Sequence, residues 1–181
     1  MTDIIIENVV STIQLTAGLD IQQLAEKIQD SKYDPGEFPG LALHFSKPKT
    51  VALLFPSGKV VCTGAKNIED AENIMNKITS RIQDYGVSIV EESEIEIQNI
   101  VASSNIGREL NLTSIASNIL LENVEYEPEQ FPGLVYKMDG LDTTLILFES
   151  GKIVCTGAKK LEDVTTSINT IEDKLSSMGV L

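Results

Sequence analysis

Apolar positions along the chain change period several times, and they do so twice in the same order. A strand is expected from Ile4 to Gln14, followed by Ile21, Leu24, Ala25 and Ile28 at the spacing of a short amphipathic helix. Short apolar runs come next, punctuated by Ser57-Gly58-Lys59, a turn signal between strands. The stripe Ile68, Ala71, Ile74, Met75, Ile78 and Ile82 predicts a longer closing helix. The second half repeats the series. Its strand runs from Ile95 to Asn105, its short helix carries Leu112, Ile115, Ala116 and Ile119, and its turn is Ser150-Gly151-Lys152. Its closing stripe is Leu161, Val164, Ile168, Ile171 and Leu175. Glu69-Asp70 and Glu162-Asp163 fall in the first turns of the long helices, where the positive end of the helix dipole favours acids.

The repetition extends to residue identity. Residues 38–66 and 131–159 agree at 16 of 29 positions at a constant offset of 93, and IENVVST around Asn8 matches IQNIVAS around Asn99 at an offset of 91. Two copies, residues 1–91 and 92–181, therefore fill the chain. Two copies are too few for a solenoid, so a pseudo-two-fold molecule is expected. The class is α+β, with a mostly antiparallel sheet and helices on one face.

Successive strand residues point to opposite faces. In the run from Val51 to Phe55, one face carries Val51, Leu53 and Phe55 and the other Ala52 and Leu54; in Lys59 to Thr63, Val61 lies opposite Val60 and Cys62. The second copy sets Ile146 and Phe148 against Leu145 and Leu147. Both faces are thus apolar, whereas an antiparallel sheet with helices on one side normally turns polar residues to the other. A second apolar face, rimmed by Lys and Thr, is what a binding surface looks like. Periodicity alone leaves open helices on both faces and a dimer interface.

Composition changes this picture in one respect. The net charge of -13 argues against a nucleic-acid ligand, but the charge is segregated. Segment 38–66 holds Lys47, Lys49, Lys59 and Lys66 and no acid; segment 131–160 holds four lysines and three of the 27 acids. The N-terminus has no basic stretch ahead of an apolar run, and no segment approaches the ~20 apolar residues of a membrane span. A soluble, intracellular protein is expected. Cys62 and Cys155 sit in identical VCTGAK motifs without C-x-x-C spacing and are expected as free core residues. Neither a metal site nor a cofactor is expected. With a single histidine, His44, and no G-x-x-x-x-G-K-[ST] loop, the chain offers no catalytic constellation, so no enzyme is expected.

The motifs EFPGL, LLFPSGKVVCTGAK, YEPEQFPGL and LILFESGKIVCTGAK, in this order and duplication, resemble the TATA-box-binding protein family across essentially the whole chain. The lack of an N-terminal extension resembles the archaeal form. The resemblance implies a saddle: a curved ten-stranded antiparallel sheet with four helices on the convex face. It implies a general transcription factor that binds the TATA box in the minor groove and recruits transcription factor B and RNA polymerase; the family is itself a known case of minor-groove kinking by apolar wedges. A saddle-shaped protein- or ligand-binding module without DNA specificity is the alternative.

By this similarity Phe38, Phe55, Phe131 and Phe148 are the wedges, four of the five Phe in the chain. Asn8 and Asn99 are the central pair donating to minor-groove acceptors, with Thr63 and Thr156 beside them. Val10, Leu53, Val61, Val101, Ile146 and Val154 form an apolar floor that would bury the exocyclic amine of guanine unpaired. Ser57, Lys59, Lys66, Lys137, Ser150, Lys152 and Lys159 match phosphate contacts. Lys137 stands where the family usually has Arg, and His44 takes the equivalent place in the first copy. Two departures mark the second copy: Glu149 follows Phe148, and Gly140-Leu141-Asp142 replaces the basic turn Lys47-Pro48-Lys49. Glu127, Glu129 and Gln130, before the second FPG, match the loop that contacts transcription factor B. A homodimer of the free protein is a further expectation.

Overall fold

The computed structural model describes residues 2–118 and 122–181. Ile119, expected on the second short helix, lies outside them. Among the described residues, ten strands and four helices alternate. The first series is β1 (Ile5–Gln14), α1 (Ile21–Lys27), β2 (Ser31–Lys32), β3 (Leu41–Ser46), β4 (Lys49–Leu54), β5 (Lys59–Ala65) and α2 (Ile68–Asp84). The second is β6 (Glu96–Asn105), α3 (Leu112–Ala116), β7 (Val124–Glu125), β8 (Leu134–Lys137), β9 (Thr144–Leu147), β10 (Lys152–Ala158) and α4 (Leu161–Ser177). Two compact units result, residues 8–98 and residues 1–7 with 99–181.

In the unit of residues 8–98 the strand order is β2-β3-β4-β5-β1, antiparallel throughout. The other unit has the matching order β7-β8-β9-β10-β6, also antiparallel. Alternation decides what each face buries. Leu41, Leu43, Ala52, Leu54, Val60 and Cys62 are buried in one cluster with Ile74, Met75, Ile78 and Ile82 of α2 and Ile21 and Leu24 of α1. Val51, Leu53, Phe55 and Val61 are only half-buried and take no part in that cluster. In the second unit Leu134, Tyr136, Leu145, Leu147, Ile153 and Cys155 are buried, as are Val164, Ile168, Ile171 and Leu175 of α4.

The long helices bury their stripes except at the first positions, and Ile68 of α2 is half-buried. Leu161, expected to be buried with the stripe of α4, is exposed because it opens the first turn. The helix starts differ chemically. Asn67 caps α2 by accepting the Asp70 N–H at 2.7 Å, whereas Lys160 before α4 makes no side-chain cap. Glu69-Asp70 and Glu162-Asp163 occupy the first turns as expected from the dipole. None of the described helices is long and apolar enough to cross a membrane.

Candidate nucleic-acid interface

Each unit is built around a face its helices leave uncovered. In residues 8–98 the cross-strand pairs Ala42–Leu53, Leu53–Val61 and Val61–Thr12 make one row of that face, and His44–Val51 and Val51–Thr63 make the next. The second unit builds the same rows from Val135–Ile146, Ile146–Val154 and Val154–Ser103, then Lys137–Thr144 and Thr144–Thr156. The expected floor residues Leu53, Val61, Ile146 and Val154 lie in these rows; Val10 and Val101 are half-buried on β1 and β6. Val51, placed here by parity, joins the floor, and Thr12 and Ser103 close its rows but are buried; half-buried Ala42, Val135 and Thr144 extend it beyond what the sequence singled out. Their signal was strand parity, and it became usable only once the pairing register was known.

The phenylalanines sit at the edge of each face in pairs. Phe38 and Phe55 pack edge to face with ring centroids 5.7 Å apart, and Phe131 and Phe148 do so at 6.2 Å. Phe38 and Phe131 remain 39% and 43% exposed, a large apolar surface held in water. The FPG motif explains how the first ring of each pair folds back. A Cβ on Gly40 would stand 2.7 Å from Phe38 Cε1, and one on Gly133 would stand 2.7 Å from Phe131 Cε1, so only glycine admits the ring. The second ring of each pair leads a tight turn. Phe55 N–H donates to the Lys59 carbonyl and Gly58 N–H to the Phe55 carbonyl, both at 2.9 Å, with the same bonds at Phe148, Gly151 and Lys152. The fifth phenylalanine, Phe45, packs instead against the core.

Asn8 and Asn99 lie well inside β1 and β6 rather than at strand ends. Opposite each, the ladder slips. Register passes from Val9–Ala65 to Ser11–Cys62, leaving Thr63 and Gly64 across from Val10; in the other unit it passes from Ala158–Ile100 to Cys155–Ala102. Such a bulge takes a backbone N–H out of the strand ladder. Here Gly64 N–H donates to Asn8 Oδ1 at 2.7 Å, and Gly157 N–H donates to Asn99 Oδ1 at 2.7 Å. The amide oxygen of each asparagine is thereby committed to the protein. Asn8 Nδ2 in turn donates to Thr63 Oγ1 at 3.0 Å, and Asn99 Nδ2 to Thr156 Oγ1 at 3.3 Å. Each threonine hydroxyl also lies within donating distance of the asparagine oxygen, Thr63 Oγ1 at 3.4 Å from Asn8 Oδ1 and Thr156 Oγ1 at 3.5 Å from Asn99 Oδ1, so one Nδ2 hydrogen of each asparagine is left over as a donor. Purely geometric necessity selects glycine in the bulge: φ is +103° at Gly64 and +89° at Gly157.

Ser57, Lys59, Lys66, Ser150, Lys152 and Lys159 are exposed at turns and strand ends. Lys137 is exposed too, but its Nζ lies 3.0 Å from Glu125 Oε1, so a phosphate would compete with a carboxylate for it. His44 is exposed in the equivalent strand position. The turn between β3 and β4 is a tight hairpin, whereas Gly140-Leu141-Asp142 belongs to a longer loop closed by Met138 N–H donating to the Thr143 carbonyl at 3.0 Å. Glu149 is exposed beside Phe148. Glu127, Glu129 and Gln130 are exposed on a turn in which Gln130 and Phe131 N–H both donate to the Glu127 carbonyl at 2.9 Å. Cys62 and Cys155 are free and fully buried, and burial pushes both thiols up to about 11, which suppresses the reactive thiolate. No group of three or more potential ligands that could hold a metal occurs among the described residues.

Comparison with known proteins gives this arrangement a context. Residues 3–85 and 94–178 each match the family described as "Transcription factor TFIID (or TATA-binding protein, TBP)". A TATA-box-binding protein of Archaeoglobus fulgidus is 46% identical over 176 residues, covering 97% of this chain and 96% of that one. One from Methanothermobacter thermautotrophicus is 46% identical over 179 residues, 99% and 98% of the two chains. A solved structure of Methanococcus jannaschii TBP superposes with a TM-score of 0.84 at 42% identity, over 97% of this chain and 99% of that one.

Proposed function

The chain belongs to the TATA-binding protein family, a family of transcription factors rather than enzymes, and we propose that it binds an A·T-rich promoter element through the minor groove and nucleates transcription initiation there. The observation that carries this reading is the uncovered apolar face of each unit, which holds one asparagine whose oxygen faces a backbone N–H and whose amide keeps one N–H to donate. Adenine N3 and thymine O2 are acceptors, so this face suits A·T pairs; a G·C pair would bring an amine donor against donors and apolar side chains.

In this reading Phe38 with Phe55, and Phe131 with Phe148, are wedges that pry open base steps at the ends of the element. Their half-exposed rings become buried on binding, which contributes about 1.5–3 kcal/mol for each fully buried ring and offsets the cost of bending the duplex. Val10, Leu53, Val61, Val101, Ile146 and Val154 lie against the sugar and base edges. Lys59, Lys66, Lys152 and Lys159, with Ser57 and Ser150, reach phosphates, and Lys137 does so by exchanging Glu125 for phosphate. The acidity of the chain does not oppose this. Exposed acids such as Glu69, Glu72, Glu162 and Asp173 sit on α2 and α4, behind the sheet. A layer spacing of ~10 Å exceeds the Debye length of about 8 Å at physiological salt.

The duplicated sequence, read as repeats 1–91 and 92–181, gives each end of the element a similar grip, so orientation needs a partner. We assign that to the turn of Glu127, Glu129 and Gln130, which differs in composition from residues 34–37 of the first copy, with transcription factor B as its ligand and RNA polymerase following. The free protein would shield its apolar face by pairing with a second copy. A cytoplasmic place on the nucleoid goes with this role. The test is a titration of an A·T-rich duplex against a G·C-rich one at stated salt, repeated with Phe148→Ala. Strong preference for the A·T duplex, weakened in the variant, is expected; equal affinity for both duplexes would leave only a binding module of other specificity.

A further inference from the structure

The asparagine amides are not free to choose which end they present. A carboxamide is nearly symmetric in shape, and rotation by 180° about its last bond exchanges an NH₂ donor for a carbonyl acceptor. Turned one way, Asn8 offers donors and suits adenine N3 or thymine O2; turned the other way, it offers an acceptor and suits the N2 amine of guanine. What decides the orientation is the bulge. Gly64 N–H, released from the ladder, points at the amide and can only donate, so the oxygen must face it, at 2.7 Å. Thr63 Oγ1 then takes one Nδ2 hydrogen at 3.0 Å, and the other hydrogen is left for the ligand. The second unit repeats the arrangement atom for atom with Gly157, Asn99 and Thr156.

We propose that the backbone amides of Gly64 and Gly157 are positioning groups for base discrimination: they lock the asparagines in the donor-out orientation and so make the face selective for A·T over G·C. The inference rests on the minor-groove reading above and assigns a role in it to residues that touch no base themselves. The glycine is needed for two reasons. Its φ of +103° at position 64 creates the bulge, and a Cβ there would stand 2.8 Å from the Lys49 carbonyl oxygen; at position 157 the Asp142 carbonyl oxygen would be 2.4 Å away. Any side chain would therefore shift the strand that aims the N–H.

Because of that strain Gly64→Ala is a poor probe, since loss of binding could simply mean a distorted sheet. The better variant replaces Gly64 with glycolic acid by semisynthesis, which changes only the N–H to an ester oxygen. The ester oxygen repels Asn8 Oδ1 and favours the flipped amide. Affinities are then measured for one A·T-rich duplex and for a set in which each A·T pair is replaced in turn by G·C, with circular dichroism as the check on folding. For the unmodified protein, discrimination at the central pairs is expected. In the ester variant it should fall about 3- to 10-fold at the pairs facing Asn8, with little change at the other pairs; the Gly157 ester should act at a different set of pairs. A folded variant with undiminished discrimination overturns the proposal, and so does a uniform loss across all duplexes, which is what a merely structural amide would give. If the unmodified protein itself shows no A·T preference, the minor-groove reading fails first, and the proposal with it.

Discussion

Residues 8–98 and the unit of residues 1–7 with 99–181 agree where the sheet face is concerned and part company around it. Both have the same strand order, the same paired rings and the same bulge holding an asparagine. The rim differs: Pro56 against Glu149, and the tight Lys47-Pro48-Lys49 turn against the looser Gly140-Leu141-Asp142 segment. So does the helix side. Leu43 and Arg81 in one unit correspond to Tyr136 and Lys174 in the other, where Lys174 Nζ donates to the Tyr136 hydroxyl at 2.7 Å. Arg81 instead pairs with Asp30, whose carboxyl is held below its usual range by that guanidinium. The difference teaches which features answer to a ligand with its own approximate symmetry. On the minor-groove reading proposed above, a duplex element presents similar acceptors to both halves, so the face is held in common, while the rim and the back are free to diverge.

The largest expected effects test whether the two faces are equivalent. Phe55→Ala and Phe148→Ala should each weaken binding to an A·T-rich duplex about 10- to 100-fold, from the burial lost with one ring. Because both rings are only half-buried in the free protein, thermal stability should change little. A large loss of stability without a selective loss of binding would mean that the rings serve the core. An effect confined to one of the two variants would break the equivalence of the halves. Next in size, Asn8→Asp and Asn99→Asp keep an acceptor for the bulge N–H but present a carboxylate to the groove. Each should cost about 10-fold in affinity for the same duplex, and substantially equal losses are expected from the matched geometry.

Much of this comparison was legible before any coordinates. Val51, Leu53 and Phe55 separate from Ala52 and Leu54 by parity alone, and the duplication assigns every such position a counterpart. Which face the helices cover was not legible, because both parities are apolar; it follows from packing of Ile74, Ile78 and Ile82 on one of them. The bulge was not legible either. VCTGAK reads as one uninterrupted strand, and the bond from Gly64 to Asn8 joins residues 56 apart in the chain. Leu161 matched its helical stripe yet is exposed, since a periodic pattern carries no information about where the first turn leaves the core. The Lys137–Glu125 pair also escaped, as it depends on the register of a two-residue strand, β7.

The rim offers a smaller effect with a sign. Glu149 stands next to Phe148 where a phosphate would approach, and the first copy has an uncharged Pro56 there. Glu149→Gln should tighten binding about two- to fivefold at low salt, with the gain shrinking as salt screens the exposed charge. Pro56→Gln serves as the control and should produce no comparable gain. Unchanged or weaker affinity of Glu149→Gln at fixed salt would remove the charge asymmetry between the halves as a cause of unequal grip.

The smallest effect lies on the far side of the molecule and separates folding from binding. α2 begins with a side-chain cap from Asn67, and α4 begins at Lys160 with none, although both helices span 17 residues and carry acids in the first turn. An asparagine cap satisfies a backbone N–H that otherwise depends on water, and its loss typically costs about 0.5–2 kcal/mol. Lys160→Asn should therefore raise the melting temperature by a few degrees, at roughly 2–4 °C per kcal/mol for a chain of this size, and Asn67→Ala should lower it by a similar amount. Affinity for the A·T-rich duplex should move less than about twofold in either case, as expected for a single exposed charge or none. Should Asn67→Ala instead weaken binding as strongly as it destabilises the fold, the helix start would be coupled to the sheet through the short link Lys66-Asn67 that joins β5 to α2, and the division between a shared face and a freely diverging back would have to be redrawn at that link.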